Sequence, residues 1–320
     1  MTIADGVLVP ANGCPPIIGV SESLRRAVNL AQRFAEAGLS ILVCGATGTG
    51  KELLAQHIHH WSGRRGPFID VNCAGLPVDL VDGWLFGHRK NAFTGAGEAA
   101  AGLIEAAAGG TLFLDEACSL PLDAQAKLLR VLETKEVRRV MDVAKRTLSF
   151  GVVAAAQNEL REAIEGGRFR RDLYQRLAAG VVRLPDLGER PADLMPLALH
   201  FATAHGRTLA HGTETVLERY PWPGNVRELS TVIGRATLLD AAVSIPPSVI
   251  AEAIALGALP GGRGDPSRPG EDDRRRAETL AALEESAWKV GRAAQRLGIH
   301  RVTLYRRARR FGIHLGRARE

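Results

Sequence analysis

The chain has 320 residues, of which 46% are hydrophobic and 24% charged, and its formal net charge is +6. This length and composition indicate a globular chain of more than one domain, and no apolar run approaches the length of a membrane span. The four cysteines form no CxxC pair, so neither a disulfide framework nor a zinc site is expected. Because the N-terminus lacks a basic segment followed by an apolar one, we expect no secretory leader and a cytoplasmic location.

The positive charge is concentrated at the C-terminal end. Residues 274–320 hold thirteen Arg and Lys against four Glu, a net charge of +9, so residues 1–273 carry −3 of the chain's +6. This asymmetry predicts a nucleic-acid-binding module attached to a mildly acidic enzyme body.

The N-terminal part of the chain combines an unpatterned segment with helix and strand patterns on either side of a glycine-rich loop. Residues 1–16 are unpatterned and predict a tail with little regulation in cis. An amphipathic helix is predicted from Glu22 to Glu36, a strand from Ile41 to Cys44, and a second helix from Glu52 to Trp61. The loop has the spacing of a phosphate-binding loop, a glycine, four residues, then Gly-Lys. Its residues are Gly45, Ala46, Thr47, Gly48, Thr49, Gly50 and Lys51.

The residue types of this loop suit a nucleoside triphosphate. Glycines let backbone N–H groups converge on phosphates, the following helix N-terminus adds its dipole, and Lys51 would reach the outer phosphates as a point charge. Glu52 departs from the general pattern, which has Ser or Thr there for Mg²⁺. A chance glycine-rich turn is the alternative interpretation.

A second pattern supports the nucleotide interpretation. Residues 109–116 read GGTLFLDE, an apolar strand that ends in two acids. Asp115 can hold Mg²⁺, directly or through water, and Glu116 can orient and polarise the attacking water. The alternative is a strand closed by a solvated acidic turn. Residues 67–72 predict a further strand, and strands alternating with helices predict an α/β fold with a parallel sheet.

Between these strands, residues 85–96 read LFGHRKNAFTGA, and we expect an exposed loop that presents Phe93 and Thr94. Here the sequence resembles the AAA+ ATPase domain of bacterial enhancer-binding proteins, the activators of sigma-54 RNA polymerase, whose loop reads GAFTGA. The resemblance extends over VNCAG, GTLFLDE, KLLRVLE, GRFRRDLYQRL and WPGNVREL, from about Ile17 to Asp240. That family also has Glu after the phosphate-loop lysine.

The resemblance implies roles for individual residues. Phe93, Thr94 and Gly95 would contact sigma-54, and Asn72 would restrain Glu116 as a switch partner. Gln157 stands at the first sensor. Arg170 and Arg176 match arginines that act across a subunit boundary, and Arg227 matches the sensor arginine at the nucleotide. Arginine suits this work because its fixed charge neutralises developing phosphoryl charge, so hydrolysis would depend on a ring, expected to be a hexamer. Without the resemblance, these arginines could be a solvated basic helix face. Residues that would hold ATP also include Ile18, Gly19 and Glu52.

The rest of the chain predicts a helical lid and a DNA-binding module. The expected domains are a tail at 1–16, an α/β ATPase subdomain at 17–184, a helical lid at 185–256, a Gly- and Pro-rich linker at 257–273 and a helix-turn-helix domain at 274–320. The lid helices are predicted at 191–205, 214–218, 223–240 and 246–256, and the last domain's helices at 281–287, 290–297 and 300–311. This last domain resembles the Fis-type domain that ends these activators.

The final predicted helix has an apolar face and a basic face. Leu304, Ala308 and Phe311 fall at helical spacing and are predicted to pack inward. The opposite side is rich in arginine, which can pair with guanine edges or phosphate in a major groove. A merely solvated charged face is the alternative. The predicted DNA-contacting residues are His300, Arg301, Thr303, Arg306, Arg307 and Arg310.

Several positions depart from the family pattern. They are Ala46, Asn91, Gln157, Arg171 and Gly188. We therefore weigh an autonomous ATP-driven activator, with a possible co-activator or inhibitory partner, against two rivals. One is a DNA-binding regulator with a weakened ATPase that serves as a partner or nucleotide-sensing subunit. The other is an AAA+ DNA-remodelling enzyme unrelated to sigma-54. His57, His59 and His60 are expected to pack or cap rather than bind metal, because no carboxylate or cysteine completes a site.

Overall fold

The computed structural model describes residues 7–8, 14–92, 97–157, 159–257, 279–286 and 288–297, together with 304, 308 and 313. The chain divides into two compact units, Met1–Ile250 and Ala251–Glu320. Phe93, Thr94 and Gly95 lie outside the described residues, as does the set predicted to contact DNA. Within the described residues, no helix combines the length and apolar character needed to cross a membrane.

A five-stranded parallel sheet forms the centre of the first unit. In chain order its strands are β1 (Ile41–Cys44), β2 (Phe68–Asn72), β3 (Thr111–Asp115), β4 (Gly151–Ala156) and β5 (Gly180–Arg183). Their spatial order is β5-β1-β4-β3-β2, and every neighbouring pair is parallel. β1 has β5 on one side and β4 on the other, so the sheet reverses its winding beside β1. In parallel sheets of this kind, ligands bind at the carboxyl ends of the strands beside such a switch point.

Helices cover both faces of this sheet, which confirms the predicted α/β architecture. Those of the α/β part are α1 (Glu22–Glu36), α2 (Lys51–Trp61), α3 (Val81–Phe86), α4 (Leu103–Ala106), α5 (Leu122–Thr134), α6 (Leu160–Glu165) and α7 (Arg171–Leu177). Ile41 and Val43 pack in one core with α1 and α2, whereas Leu42 packs in a second core with α3, α5 and α7. This alternation follows from the two-residue period of a strand.

Short antiparallel strand pairs form separate two-stranded sheets outside the central sheet. Antiparallel pairs join Val7–Leu8 to Ile17–Ile18, Gly87–His88 to Ala100–Ala101, and Glu136–Val137 to Arg146–Thr147. Within residues 1–16, predicted as a tail, Val7–Leu8 thus forms one short strand, whose backbone pairs with Ile17–Ile18.

A helical region follows β5. Its helices are α8 (Leu194–Ala204), α9 (Thr213–Arg219), α10 (Asn225–Leu239) and α11 (Pro247–Gly257), and the 3-10 helices Leu187–Glu189 and Pro191–Asp193 precede α8. The bounds of α9, α10 and α11 agree with the sequence prediction to within two residues. The first lid helix begins three residues later than predicted, because residues 191–193 take the tighter 3-10 form.

The second unit has a small apolar core of its own. Helical turns are described at 279–285 and Val290–Arg296. Leu283, Ala293, Leu304 and Ala308 are buried together in this core. The inward positions predicted for Leu304 and Ala308 are confirmed, whereas Phe311 lies outside the described residues.

Candidate nucleotide-binding site

The phosphate loop lies between β1 and α2, as the sequence predicts. Gly48 and Gly50 have left-handed φ angles of 79° and 101°, which glycine adopts without steric cost. Lys51 Nζ donates hydrogen bonds to the carbonyl oxygens of Gly45 and Ala46, both at 3.0 Å, and Thr49 Oγ1 donates to that of Ala46 at 2.8 Å. Gly50 has no side chain to cap α2, so the first N–H groups of the helix can meet an anion.

Opposing electrostatic effects act on Lys51. Burial lowers the pKa of its ammonium group, while the charges of Asp115 and Glu116 raise it. Glu52 occupies the first turn of α2, where the helix dipole favours an acid. The pKa of Asp70 is raised by burial, then by the charges of Glu52 and Asp115. Asp115 and Glu116 are therefore close enough to Lys51 to act on its charge, although no group of three or more potential metal ligands is found within the described residues.

The acidic residues lie at the carboxyl end of β3, next to the end of β4. Glu116 has a φ of 51°, and its backbone N–H donates to Asp115 Oδ1 at 3.0 Å. Gln157 directly follows β4, and its Nε2 donates to Glu116 Oε1 at 3.3 Å. The side-chain amide of Gln157 thus contacts Glu116, the carboxylate predicted to polarise water.

Among the described residues, Asn72 makes no hydrogen bond to Glu116, which it is predicted to restrain as a switch partner. Asn72 pairs in register with Asp115 in the sheet, but its Oδ1 accepts from the backbone N–H groups of Ala74 and Gly75 at 3.0 and 3.3 Å. Asn72 thereby caps the 3-10 helix Cys73–Gly75. The reason is local, because a capping bond two residues away competes with the longer reach to Glu116.

The lid approaches the phosphate loop at Gly48. The Gly48 carbonyl accepts from the N–H groups of Val226 at 2.9 Å and Arg227 at 3.3 Å. A Cβ at Gly48 would lie 2.3 Å from the carbonyl oxygen of Gly224, so this contact requires glycine. The backbone of Arg227 thus lies next to the loop, and the charge of Arg227 helps to lower the pKa of Lys51.

Arg170 and Arg176 form hydrogen bonds near α7 and α5. Arg170 precedes α7 and donates twice to Asp172, at 3.0 and 2.7 Å. Arg176 donates to the carbonyl oxygen of Leu132 at 3.2 Å. In the part of the chain that the structure describes, neither side chain hydrogen-bonds to the phosphate loop.

An apolar cavity of about 270 Å³ adjoins the phosphate loop. Ile18, a predicted nucleotide-binding residue, lines it, and Gly19 lies beside it, where an added Cβ would be 2.4 Å from Leu24. Other residues that line it include Ile17, Leu53, Leu197, Phe201 and Val226. Its walls suit a flat, largely apolar ring such as a nucleotide base.

Three buried polar residues at this site escaped sequence reasoning. Asn225, the first residue of α10, is 2% exposed; its Oδ1 accepts from Leu187 N–H at 2.7 Å and its Nδ2 donates to the Thr47 carbonyl at 3.0 Å. Arg190 and Asp193 are 3% and 0% exposed, and burial lowers the pKa of Arg190. The signal that could have found this pair is two opposite charges three residues apart at the start of an apolar helix.

The histidines of α2 pack as predicted. His59 Nδ1 lies 2.8 Å from Thr111 Oγ1, and His57 Nε2 lies 2.8 Å from the carbonyl oxygen of Pro15. Burial lowers the pKa of both rings, which favours their neutral form.

Comparison with known proteins identifies the family. The family described as Sigma-54 interaction domain matches residues 17–183, just over half of the chain. The chain belongs to the sigma-54-dependent transcriptional activators. Two further matches agree with this activator family: an AAA+ ATPase lid domain at 188–260, and the bacterial regulatory protein family Fis at 280–311.

Individual relatives share this architecture. The sigma54-dependent transcriptional activator SfnR of Pseudomonas putida is 47% identical over 215 residues, which cover 65% of this chain and 59% of SfnR. The DNA-binding transcriptional activator HyfR of Escherichia coli K12 is 37% identical over 322 residues, which cover 94% of this chain and 48% of HyfR. The chain thus spans about half to three fifths of the length of these two relatives.

A solved structure agrees with the AAA+ fold. The crystal structure of NtrX from Brucella abortus in complex with ATP matches with a TM-score of 0.69 and 26% identity, and covers 92% of this chain and 69% of that one.

Proposed function

We propose that this activator binds DNA upstream of a promoter and hydrolyses ATP in a hexameric ring, in which the predicted trans-acting arginines of each protomer serve a neighbour. The ring remodels the closed complex of sigma-54 RNA polymerase. Its ATPase body, residues 17–256, is joined by the linker 257–273 to the DNA-binding module 274–320. Because its partners are promoter DNA and RNA polymerase, the proposal places it in the cytoplasm.

One observation carries the proposal. Lys51 in the phosphate loop, the Asp115–Glu116 pair and Gln157 come together at the carboxyl ends of β1, β3 and β4, next to an apolar cavity. Bound ATP with Mg²⁺ would supply the bond to the terminal phosphate, which water cleaves to give ADP and phosphate. Lys51 would bind the outer phosphates of ATP, Asp115 would hold the metal directly or through water, and Glu116 would polarise the attacking water while Gln157 orients Glu116.

The positions of the arginines support assembly. Arg227 lies beside the phosphate loop of its own protomer, whereas Arg170 is tied to Asp172 on the surface. Arg170 and Arg176 would therefore serve the site of a neighbouring protomer, where their charge stabilises the transition state. Hydrolysis then requires oligomerisation, and Phe93, Thr94 and Gly95 transmit the movement to sigma-54.

Steady-state ATP hydrolysis, measured against protein concentration, tests the proposal. We expect specific activity to rise steeply with concentration and Glu116→Gln to abolish it, because glutamine keeps the size but loses the charge that polarises water. Glu36→Gln, at the exposed end of α1, is the matched control and is expected to leave activity unchanged. Activity that is independent of concentration, or that survives Glu116→Gln, would contradict the proposal.

The second candidate is a regulator with a weakened ATPase. The hydrogen bond from Gln157 to Glu116 favours this candidate, because the amide occupies a carboxylate oxygen that must face water to polarise it. Asn91, which stands where the family loop GAFTGA has its first glycine, gives this candidate less support. Asn91 adopts a left-handed φ of 62°, which asparagine tolerates. ATP binding without turnover at any concentration would support this candidate over the first.

A further inference from the structure

A buried pair of opposite charges, Arg190 and Asp193, connects three segments around the apolar cavity. Both residues belong to the short 3-10 region before α8 and are almost completely buried. Their closest side-chain atoms, Arg190 Nη1 and Asp193 Oδ2, lie 3.7 Å apart. Replacing a buried ion pair by apolar residues of the same volume is often neutral or stabilising. Stability alone therefore does not explain why this pair is buried here.

Asp193 fixes the segment that leads into α1. Its Oδ1 accepts from the backbone N–H groups of Val20 at 2.5 Å and Ser21 at 2.7 Å, and its Oδ2 accepts from Ser21 Oγ at 2.7 Å. Ser21 is also the N-cap of α1. This carboxylate therefore sets the path of the chain immediately after Ile17–Ile18, which line the cavity.

Arg190 contacts the phosphate loop. Its Nη2 donates to the carbonyl oxygen of Thr49 at 3.2 Å, and Arg190 itself lines the cavity. Its Nε is buried and has no hydrogen-bond partner within the described residues. The guanidinium group of Arg190 thus contacts the phosphate loop and pairs with Asp193, and Arg190 lines the cavity. Asp193 in turn fixes the segment that follows Ile17–Ile18.

We propose that Arg190 and Asp193 are a positioning pair that holds the Ile17–Ser21 segment and Thr49 at the separation that the base and the phosphates of one nucleotide require. The pair sets nucleotide affinity and leaves the chemical step to Glu116. This inference rests on the proposed nucleotide-binding function. A pair that served stability alone would reduce the amount of active protein without changing the affinity of what remains.

The test measures binding of N-methylanthraniloyl-ADP by fluorescence, and KM and kcat for ATP, on the full chain. The variants are Arg190→Met and the double variant Arg190→Met/Asp193→Asn, which leaves no buried charge unpaired and guards against misfolding. Arg26→Met is the control, because Arg26 forms an exposed pair with Glu22 on α1. Circular dichroism checks that each variant is folded.

We expect both variants to raise the dissociation constant and KM about tenfold or more while kcat at saturating ATP stays within about twofold. Arg26→Met should match the wild type. Wild-type affinity in the folded double variant, or a loss of kcat at unchanged KM, would overturn the positioning role. If the wild-type protein itself binds no N-methylanthraniloyl-ADP, the proposed function fails instead, so the two failures are distinguishable.

Discussion

Replacing Asn225 by alanine removes two hydrogen bonds, one to Leu187 within the lid and one that joins the lid to the phosphate loop at Thr47. The bond from Leu187 N–H is buried, and Leu187 is fully inaccessible to solvent, so its N–H would be left without an acceptor. The bond to the carbonyl of Thr47 ends on an exposed residue, where water can replace it. Asn225 also has a φ of 54°, which alanine adopts less readily than asparagine.

These three losses can be given magnitudes. An unsatisfied buried N–H costs about 1–3 kcal/mol, and the loss of the bond to Thr47 costs about 0.5–1.5 kcal/mol. The left-handed backbone adds about 1 kcal/mol for alanine. The free energy of unfolding should therefore fall by roughly 3–5 kcal/mol, which lowers the Tm of a unit of this size by roughly 6–20 °C.

Calorimetry of the nucleotide-free protein measures this change. Asn29→Ala is the control, because Asn29 is exposed on α1 and its replacement should change stability by less than about 0.5 kcal/mol. A Tm for Asn225→Ala within about 2 °C of the wild type would refute the reasoning, since the buried N–H of Leu187 would then have found another acceptor.

Four further predictions concern the site and the C-terminal unit. Gln157→Leu should lower kcat about tenfold with little change in KM, because the amide orients Glu116 for water, and an unchanged or higher kcat would contradict that role. Lys51→Met should abolish binding of N-methylanthraniloyl-ADP, whereas Lys127→Met, on the exposed face of α5, should not. Chelation of Mg²⁺ by EDTA should stop hydrolysis, and added Mg²⁺ should restore it. Leu304→Ala should cost the C-terminal unit about 2–5 kcal/mol and abolish DNA retention in a gel-shift assay while ATP turnover persists; retained DNA binding would argue against that core.

Much of the site could be predicted because its chemistry is local in sequence. The phosphate loop is a run of seven residues whose spacing fixes both its backbone shape and its charge. Asp115 and Glu116 are adjacent and follow an apolar strand, so their place at the sheet's carboxyl edge follows once the strands are parallel. The same holds for the inward face of Leu304 and Ala308, which depends only on helical spacing.

The rest depends on contacts between distant segments. Asn225 is 178 residues from Thr47, and Asp193 is 173 from Val20, so no local pattern links either pair. Asn72 bonds to the nearby backbone of Ala74, and its role as a switch partner of Glu116 stays a prediction. Sequence spacing thus predicts which groups line the site, whereas the bonds that fix their positions follow from tertiary packing.

Promoter melting by sigma-54 RNA polymerase tests the central claim most directly. Permanganate reactivity of unpaired thymines on a supercoiled sigma-54 promoter would be measured with this activator and ATP. We predict reactivity at the start site with ATP, and none with ADP, with Glu116→Gln, or with a polymerase that carries another sigma factor. ATP hydrolysis without melting by sigma-54 polymerase, or melting that needs no hydrolysis, would contradict the account.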